Sequence, residues 1–222
     1  MNVIALDLDG TLEDSRADMI AAVQRVRKRF DLDPRANEDI RPYVNKGMPT
    51  LYQICFSELW ADGPDPDLAL RLKQAYETDY MENVAVQTRL YPGIAQALNQ
   101  LDQLAPLALV TNKPERISRQ LLEALGVAQH FATVVGGDTC SESKPSKIPL
   151  LAAAEQCGYS PTNGKAIMIG DSAGDIRMGQ SFGAITLWCA WGYAAEPGAL
   201  APDYRAARPE DLPGLVDSIL SR

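Results

Sequence analysis

Apolar and polar residues follow two different rhythms along the chain, and the change of rhythm marks its organisation. Short, nearly continuous apolar runs occur at Val3 to Leu8, Leu107 to Val110, Val134 to Val135, Ala166 to Ile169 and Ala184 to Trp188. Such runs, without polar alternation, suit strands buried on both faces, as in a parallel sheet covered by helices. Between them apolar positions recur at helical spacing. PERISRQLLEALG puts Ile117, Leu121 and Leu125 on one stripe, with Pro114 near the start and Gly126 as a stop. PGIAQALNQL and IPLLAAAEQCG read the same way. From about residue 92 onward strand and helix alternate, which predicts an α/β core, a doubly wound, Rossmann-like parallel sheet.

The stretch from Ser15 to about Ala85 breaks the alternation. Ser15, with Asp18 three residues on as a weak capping-box signal, opens a helical stripe of Met19, Val23, Val26 and Phe30. Two further helical patterns follow, Leu51, Ile54 and Leu59, then Leu68, Leu72, Tyr76 and Tyr80, separated by the loop ADGPDPD. The expected organisation is a first core segment over 1–14, an all-helical insertion over 15–87 and the rest of the core over 88–222. No internal repeat or low-complexity segment is evident.

Composition narrows the possibilities. Twenty-one Lys and Arg stand against 29 Asp and Glu, a formal net charge of -8, which argues against a nucleic-acid partner, whose binding surface would be basic. An anionic substrate must then be attracted locally. No apolar run is long enough for a membrane span and no signal-type leader precedes the first strand, so a cytoplasmic location is expected, without a membrane partner, as a monomer or small homo-oligomer. The four cysteines, Cys55, Cys140, Cys157 and Cys189, contain no CxxC pair and read as core thiols. His130 is the single histidine and is expected only to end a helix.

The candidate chemistry lies where the strands end. The first apolar run ends in Asp7 and Asp9. In extended chain residues two apart point the same way about 6.6 Å apart, so the two charges repel unless the turn is solvated or a cation sits between them. Asp-Gly is also a hairpin signal. Ligands of open α/β sheets bind at the carboxyl ends of the strands. There the chain offers Asp7, Asp9 and Gly10; Thr111, Asn112 and Lys113; Gly137 and Asp138, with SKPSK beyond; and Asp171, Ser172 and Asp175. Acids, a hydroxyl, an amide and a lysine on one rim suit a divalent cation and a phosphate, and an all-oxygen set favours Mg²⁺. Taken singly, each has a plainer reading as a turn, a helix cap or a solvated charge.

In this order, DLDGTL, VTNK, KPSK and GDSAGD resemble the four motifs of the haloacid dehalogenase-like phosphatases, across nearly the whole chain. The insertion is similar to that family's helical cap, and LYPGI, KPSKIPLL and the GY before EPGA resemble its phosphoglycolate phosphatase branch. The resemblance implies a phosphomonoester hydrolase with Asp7 as the nucleophile and Asp9 as the general acid and base. It implies Mg²⁺ on Asp7, the Asp9 carbonyl and Asp171, with Lys144 as a further counter-charge. Thr111 and Asn112 would hold phosphoryl oxygens, Gly10 would let the turn approach the phosphate, and Asp175 would orient the metal or Lys144. A small phosphomonoester, such as 2-phosphoglycolate, is the implied substrate. Asn45, Lys46 and Met48, at the start of a helical pattern, are the expected contacts of the leaving group, Lys46 meeting a second anionic group.

The sequence departs from the pattern in three places. Lys147 stands where proline is usual and offers a second amine, Glu13 stands where an apolar residue is usual, and VNKG replaces a glycine-richer segment. Rival readings are a phosphomutase of the same superfamily, an inactive phosphometabolite-binding module, and a serine hydrolase built on GDSAG at Gly170–Gly174, whose elbow motif needs a histidine after Ser172.

Overall fold

The computed structural model describes residues 1–61, 63 and 65–222; Asp62 and Pro64, within the expected ADGPDPD loop, lie outside the described residues. The chain divides into two compact units, Met1–Asp14 with Leu90–Arg222, and Ser15–Arg89.

The first unit is a parallel sheet wrapped by helices. Its elements are β1 (Val3–Leu6), the two-residue β2 (Glu13–Asp14), the end of β3 (Arg89–Leu90), α5 (Ile94–Leu101), β4 (Leu107–Val110), α6 (Glu115–Ala124), β5 (Phe131–Val135), α7 (Ile148–Gln156), β6 (Ala166–Gly170), α8 (Ala173–Phe182), β7 (Ile185–Cys189), β8 (Tyr204–Ala206) and α9 (Leu212–Leu220). The sheet runs β5-β4-β1-β6-β7-β8, with every neighbouring pair parallel. Ile4 lies between Leu107 and Ile167. The chain therefore winds outward through β4 and β5, returns across β1 and winds out again through β6, β7 and β8. β1 sits at the reversal, where such sheets bind ligands.

Burial explains the apolar runs. All four residues of β1, all four of β4 and all five of β6 are buried. Val3, Ala5, Ala108, Val110 and Met168 pack on Leu150 and Ala153 of α7 and Met178 of α8; each fully buried large aliphatic side chain here contributes about 1.5–3 kcal/mol. The first strand is shorter than its apolar run, because the Leu8 carbonyl accepts from the N–H groups of Thr11 and Leu12 and turns the chain away. The Asp-Gly step is thus a turn, with no hairpin formed. Gly126 follows α6 with φ +70°, as a helix stop does. Cys55, Cys157 and Cys189 are buried and Cys140 is partly so; all four are free thiols.

The second unit holds α1 (Arg16–Arg29), α2 (Asn37–Ile40), α3 (Met48–Cys55) and α4 (Pro66–Glu82). Met19, Val23 and Val26 of α1 and Leu72, Tyr76 and Tyr80 of α4 are buried, and these two helices pack together. Asp65 caps α4 by accepting from the N–H groups of Asp67 and Leu68. The stripe through Leu51, Ile54 and Leu59 does not form one helix: α3 ends at Cys55 and Leu59 lies in a separate 3₁₀ turn. The capping box expected at Ser15 is also absent. Ser15 Oγ points to Met19 Sδ at 3.6 Å, while Asp18 accepts from the N–H groups of Gln87 and Thr88 and from the Thr88 hydroxyl at 2.7–3.0 Å. A carboxylate this buried goes to the donors that tertiary structure brings it, here at the other end of the unit. Among the described residues no helix is long and apolar enough to cross a membrane.

Candidate active site

Three turns at the carboxyl ends of β1, β4 and β6, with the loop before α7, bring the expected groups together. Asp7 directly follows β1, and its N–H still donates to the Ile169 carbonyl of β6. Asp171 directly follows β6. Asp175 stands one turn inside α8, where a reciprocal capping box holds it: Asp175 N–H donates to Ser172 Oγ, while Ser172 N–H and Oγ–H donate to Asp175 Oδ2. Oxygens of Asp7, Asp171 and Asp175 lie within 4.8 Å of one another, all buried.

Lys144 reaches into this cluster, with Nζ 2.6 Å from Asp7 Oδ1 and 2.8 Å from Asp175 Oδ1. Burial pushes its pKa down, but the carboxylates of Asp175 and Asp7 overcome this and hold the ammonium well above the usual lysine range. Lys147, the alternative amine, is exposed at the start of α7. Lys144 is thus the lysine in the cluster. Its place is secured by Asn112, whose Oδ1 accepts from Lys144 N–H at 2.9 Å and whose Nδ2 donates to the Lys144 carbonyl at 3.2 Å. Both ends of the Asn112 side chain are therefore committed to the lysine main chain, a duty the sequence pattern did not suggest. Thr111 Oγ1 accepts from Lys113 N–H at 3.1 Å, which leaves the hydroxyl proton to be given elsewhere.

Three carboxylates against one ammonium leave an excess of negative charge in a dry place. Burial, then the neighbouring Asp175, raise the Asp7 carboxyl well above the ordinary carboxylate range despite Lys144. The same two causes lift Asp171 to about 6. Asp171 also accepts from Thr11 Oγ1 at 3.2 Å and from Tyr193 N–H at 2.6 Å, while Trp191 Nε1 donates to the Thr11 carbonyl at 3.0 Å. Backbone packs closely here: a Cβ on Gly10, whose φ is +87°, or on Gly192 would run into the Asp171 side chain. The loop over Trp191–Tyr193 is a support that the sequence reading missed; its only trace there was the GY dipeptide. A divalent cation bound through oxygens would balance the two surplus charges, and the donor set fits one. Asp7, Asp171 and Asp175 are the carboxylates that could hold it; both oxygens of Asp171 also accept from Thr11 and Tyr193, and both of Asp175 from Lys144 and Ser172.

Asp9 is half-buried and in contact with Lys113 Nζ through Oδ1. Asp138, expected on the same rim, instead accepts from Glu115 N–H at 2.8 Å; it caps α6, whose N-cap position holds Pro114 and so has no acceptor side chain. Asn45 and Lys46 are exposed residues of the helical unit, ahead of α3, which begins at Met48. The serine-hydrolase reading fails on geometry, because Ser172 Oγ is used in the capping box and His130, which ends a 3₁₀ turn, lies 2.6 Å from Asp102.

Comparison with known proteins gives the family. The sequence pattern of the haloacid dehalogenase-like hydrolases matches residues 4–189. The chain belongs to that family. Within it the chain is phosphoglycolate phosphatase-like: it is 33% identical over 219 residues to the phosphoglycolate phosphatase of Aquifex aeolicus (strain VF5), covering 98% of each chain. It is 36% identical over 198 residues to the enzyme of that name from Chromobacterium violaceum, covering 87% of each. Among solved structures it is similar to a predicted phosphoglycolate phosphatase from Haemophilus somnus 129pt, with a TM-score of 0.85, 26% identity and coverage of 97% of this chain and 98% of that one.

Proposed function

We propose that this enzyme hydrolyses a small phosphomonoester, 2-phosphoglycolate in particular, through a covalent phosphoryl intermediate on Asp7, with Mg²⁺ as cofactor. The observation that carries the reading is the buried Asp7 carboxylate in contact with Lys144 and clustered with Asp171 and Asp175 at the reversal point of the sheet. Phosphate-monoester hydrolysis is among the slowest uncatalysed reactions, needing up to about 10²¹-fold acceleration, and a dianionic phosphate is repelled by a carboxylate. Counter-charge at this point is what the chemistry needs.

In this reading a free oxygen of Asp7 attacks phosphorus, the ester P–O bond breaks, and Asp9 gives its proton to the departing alkoxide. Water then attacks the same phosphorus, Asp9 takes the water's proton, and the bond from phosphorus to Asp7 breaks to release inorganic phosphate. Lys144 keeps Asp7 in position and offsets phosphoryl charge, while Thr111 donates its hydroxyl proton to a phosphoryl oxygen. Mg²⁺, held by Asp7, the Asp9 carbonyl and Asp171, would neutralise charge on the transferring group. The helical unit serves as the cap, with Lys46 meeting the substrate carboxylate. The names of the relatives support the choice of substrate.

The test is phosphate release from 2-phosphoglycolate with Mg²⁺, abolished by EDTA and restored by added Mg²⁺. Lys46→Ala should raise KM for 2-phosphoglycolate about tenfold, the worth of one charge-assisted hydrogen bond, and leave a neutral aryl phosphate unaffected. Binding without phosphate release would overturn the hydrolase reading in favour of a binding module, and equal effects of Lys46→Ala on both substrates would remove the case for a carboxylate-bearing one.

A further inference from the structure

The turn after β1 buries a carboxylate that the chemistry above does not use. Glu13 is fully buried four residues past Asp9, and its carbonyl closes the turn by accepting from Gly10 N–H at 2.9 Å. A carboxylate taken out of water needs a cation or several donors. Lys113 brings the cation: Nζ lies 4.0 Å from Glu13 Oε1 and contacts Asp9 Oδ1. The lysine side chain is 2% exposed, against 17% for that of Asp9. Its main chain is held on both sides, the N–H by Thr111 Oγ1 and the carbonyl by the N–H of Gly137 at 3.0 Å. The row Glu13, Lys113, Asp9 therefore has a fixed, buried end and one end that reaches the rim.

We infer that Lys113, seated on Glu13, is a positioning residue that fixes the Asp9 carboxyl for proton exchange with the leaving oxygen. The inference rests on the reading of Asp9 as acid and base in a phosphomonoester hydrolase. A positioned acid or base contributes about 10²- to 10⁴-fold only within hydrogen-bond reach of its target, and a displacement of about 1 Å can cost about 10²-fold. Asp9 stands on a turn, where its side chain would otherwise sample several rotamers. The Lys113 contact selects one of them, and Glu13 balances the ammonium so that Asp9 does not face an uncompensated positive charge.

Leaving-group dependence separates this role from a structural one. A 4-nitrophenolate departs without being protonated, whereas the alkoxide of 2-phosphoglycolate needs the proton from Asp9. In Lys113→Met the ratio of kcat/KM for 2-phosphoglycolate to that for 4-nitrophenyl phosphate should fall about tenfold or more relative to wild type. In the Asp9→Asn background, Lys113→Met should lower the ratio no further, because the two act as one unit. Lys113→Met leaves Glu13 buried without its cation, which can unfold the protein, so the comparison is repeated in Glu13→Leu/Lys113→Met, where both charges are gone and the same fall is expected. An equal loss on both substrates, or a loss that adds to that of Asp9→Asn, would overturn the inference. No release from either substrate by the wild-type enzyme would instead overturn the phosphatase reading and this role with it, whereas an unmoved ratio in an active enzyme removes the role of Lys113 alone.

Discussion

Replacing Asp171 by Asn should make the metal-free protein more stable at alkaline pH, the opposite of the usual outcome for a buried polar substitution. The amide fits the site: its oxygen can accept from Tyr193 N–H, as Asp171 Oδ2 does, and its NH₂ can donate to Thr11 Oγ1, whose hydroxyl then turns about. What changes is charge. Burial, with Asp175 close by, lifts the Asp171 carboxyl from its ordinary 3.8 to about 6, so the folded state holds this proton more tightly than the unfolded one. Metal-free wild type then loses stability as pH rises from about 4 to about 6, and the full penalty persists above that. Roughly two units at about 1.4 kcal/mol each give a penalty of about 3 kcal/mol. At about 2–4 °C per kcal/mol for a chain of this size, the variant in EDTA should melt several degrees, up to about 10 °C, above wild type at pH 8, and the two should converge near pH 4. Added Mg²⁺ should raise the melting temperature of wild type at pH 8 by mass action and leave the variant unmoved. A variant less stable than wild type at pH 8, or one that responds equally to Mg²⁺, would refute the charge argument.

Two further outcomes follow from the same cluster. Asp7→Asn should fold and lose turnover; retention of more than about a hundredth of the wild-type rate is more than loss of a covalent nucleophile leaves, and steady-state phosphate release decides it. Gly192→Ala should cost about 1–3 kcal/mol by overpacking and blunt the Mg²⁺-dependent rise in melting temperature, because its Cβ has to displace the Asp171 side chain; an unchanged Mg²⁺ titration would show that the loop over Trp191–Tyr193 does not support the ligand.

Much of the fold was legible in the sequence because the signals are local. A run such as VIAL, LALV or AIMIG has no polar side to turn to water, so it has to be covered on both faces, and helical stripes such as Ile117 and Leu121 provide the cover. The acids at the strand ends were legible for a related reason: Asp7 and Asp171 end apolar runs that cannot otherwise tolerate charge. The edge strand Tyr204–Ala206 was not found, since three residues with one arginine carry no apolar run. What only the tertiary structure decided is which partner each buried polar group takes. Lys144 and Lys147 are three residues apart and equally cationic, yet only the first is carried between Asp7 and Asp175. The Asn112 amide clamps the Lys144 main chain, Asp138 caps a helix that begins with another residue's turn, and Asp18 takes donors about seventy positions away. Glu13 meets Lys113 a hundred residues further along the chain. Hydrophobic burial is non-directional and shows in the periodicity of neighbouring residues, whereas a hydrogen bond or ion pair depends on distances of a few tenths of an ångström between atoms that sequence does not bring near, so pairings of this kind exist only once the sheet has closed.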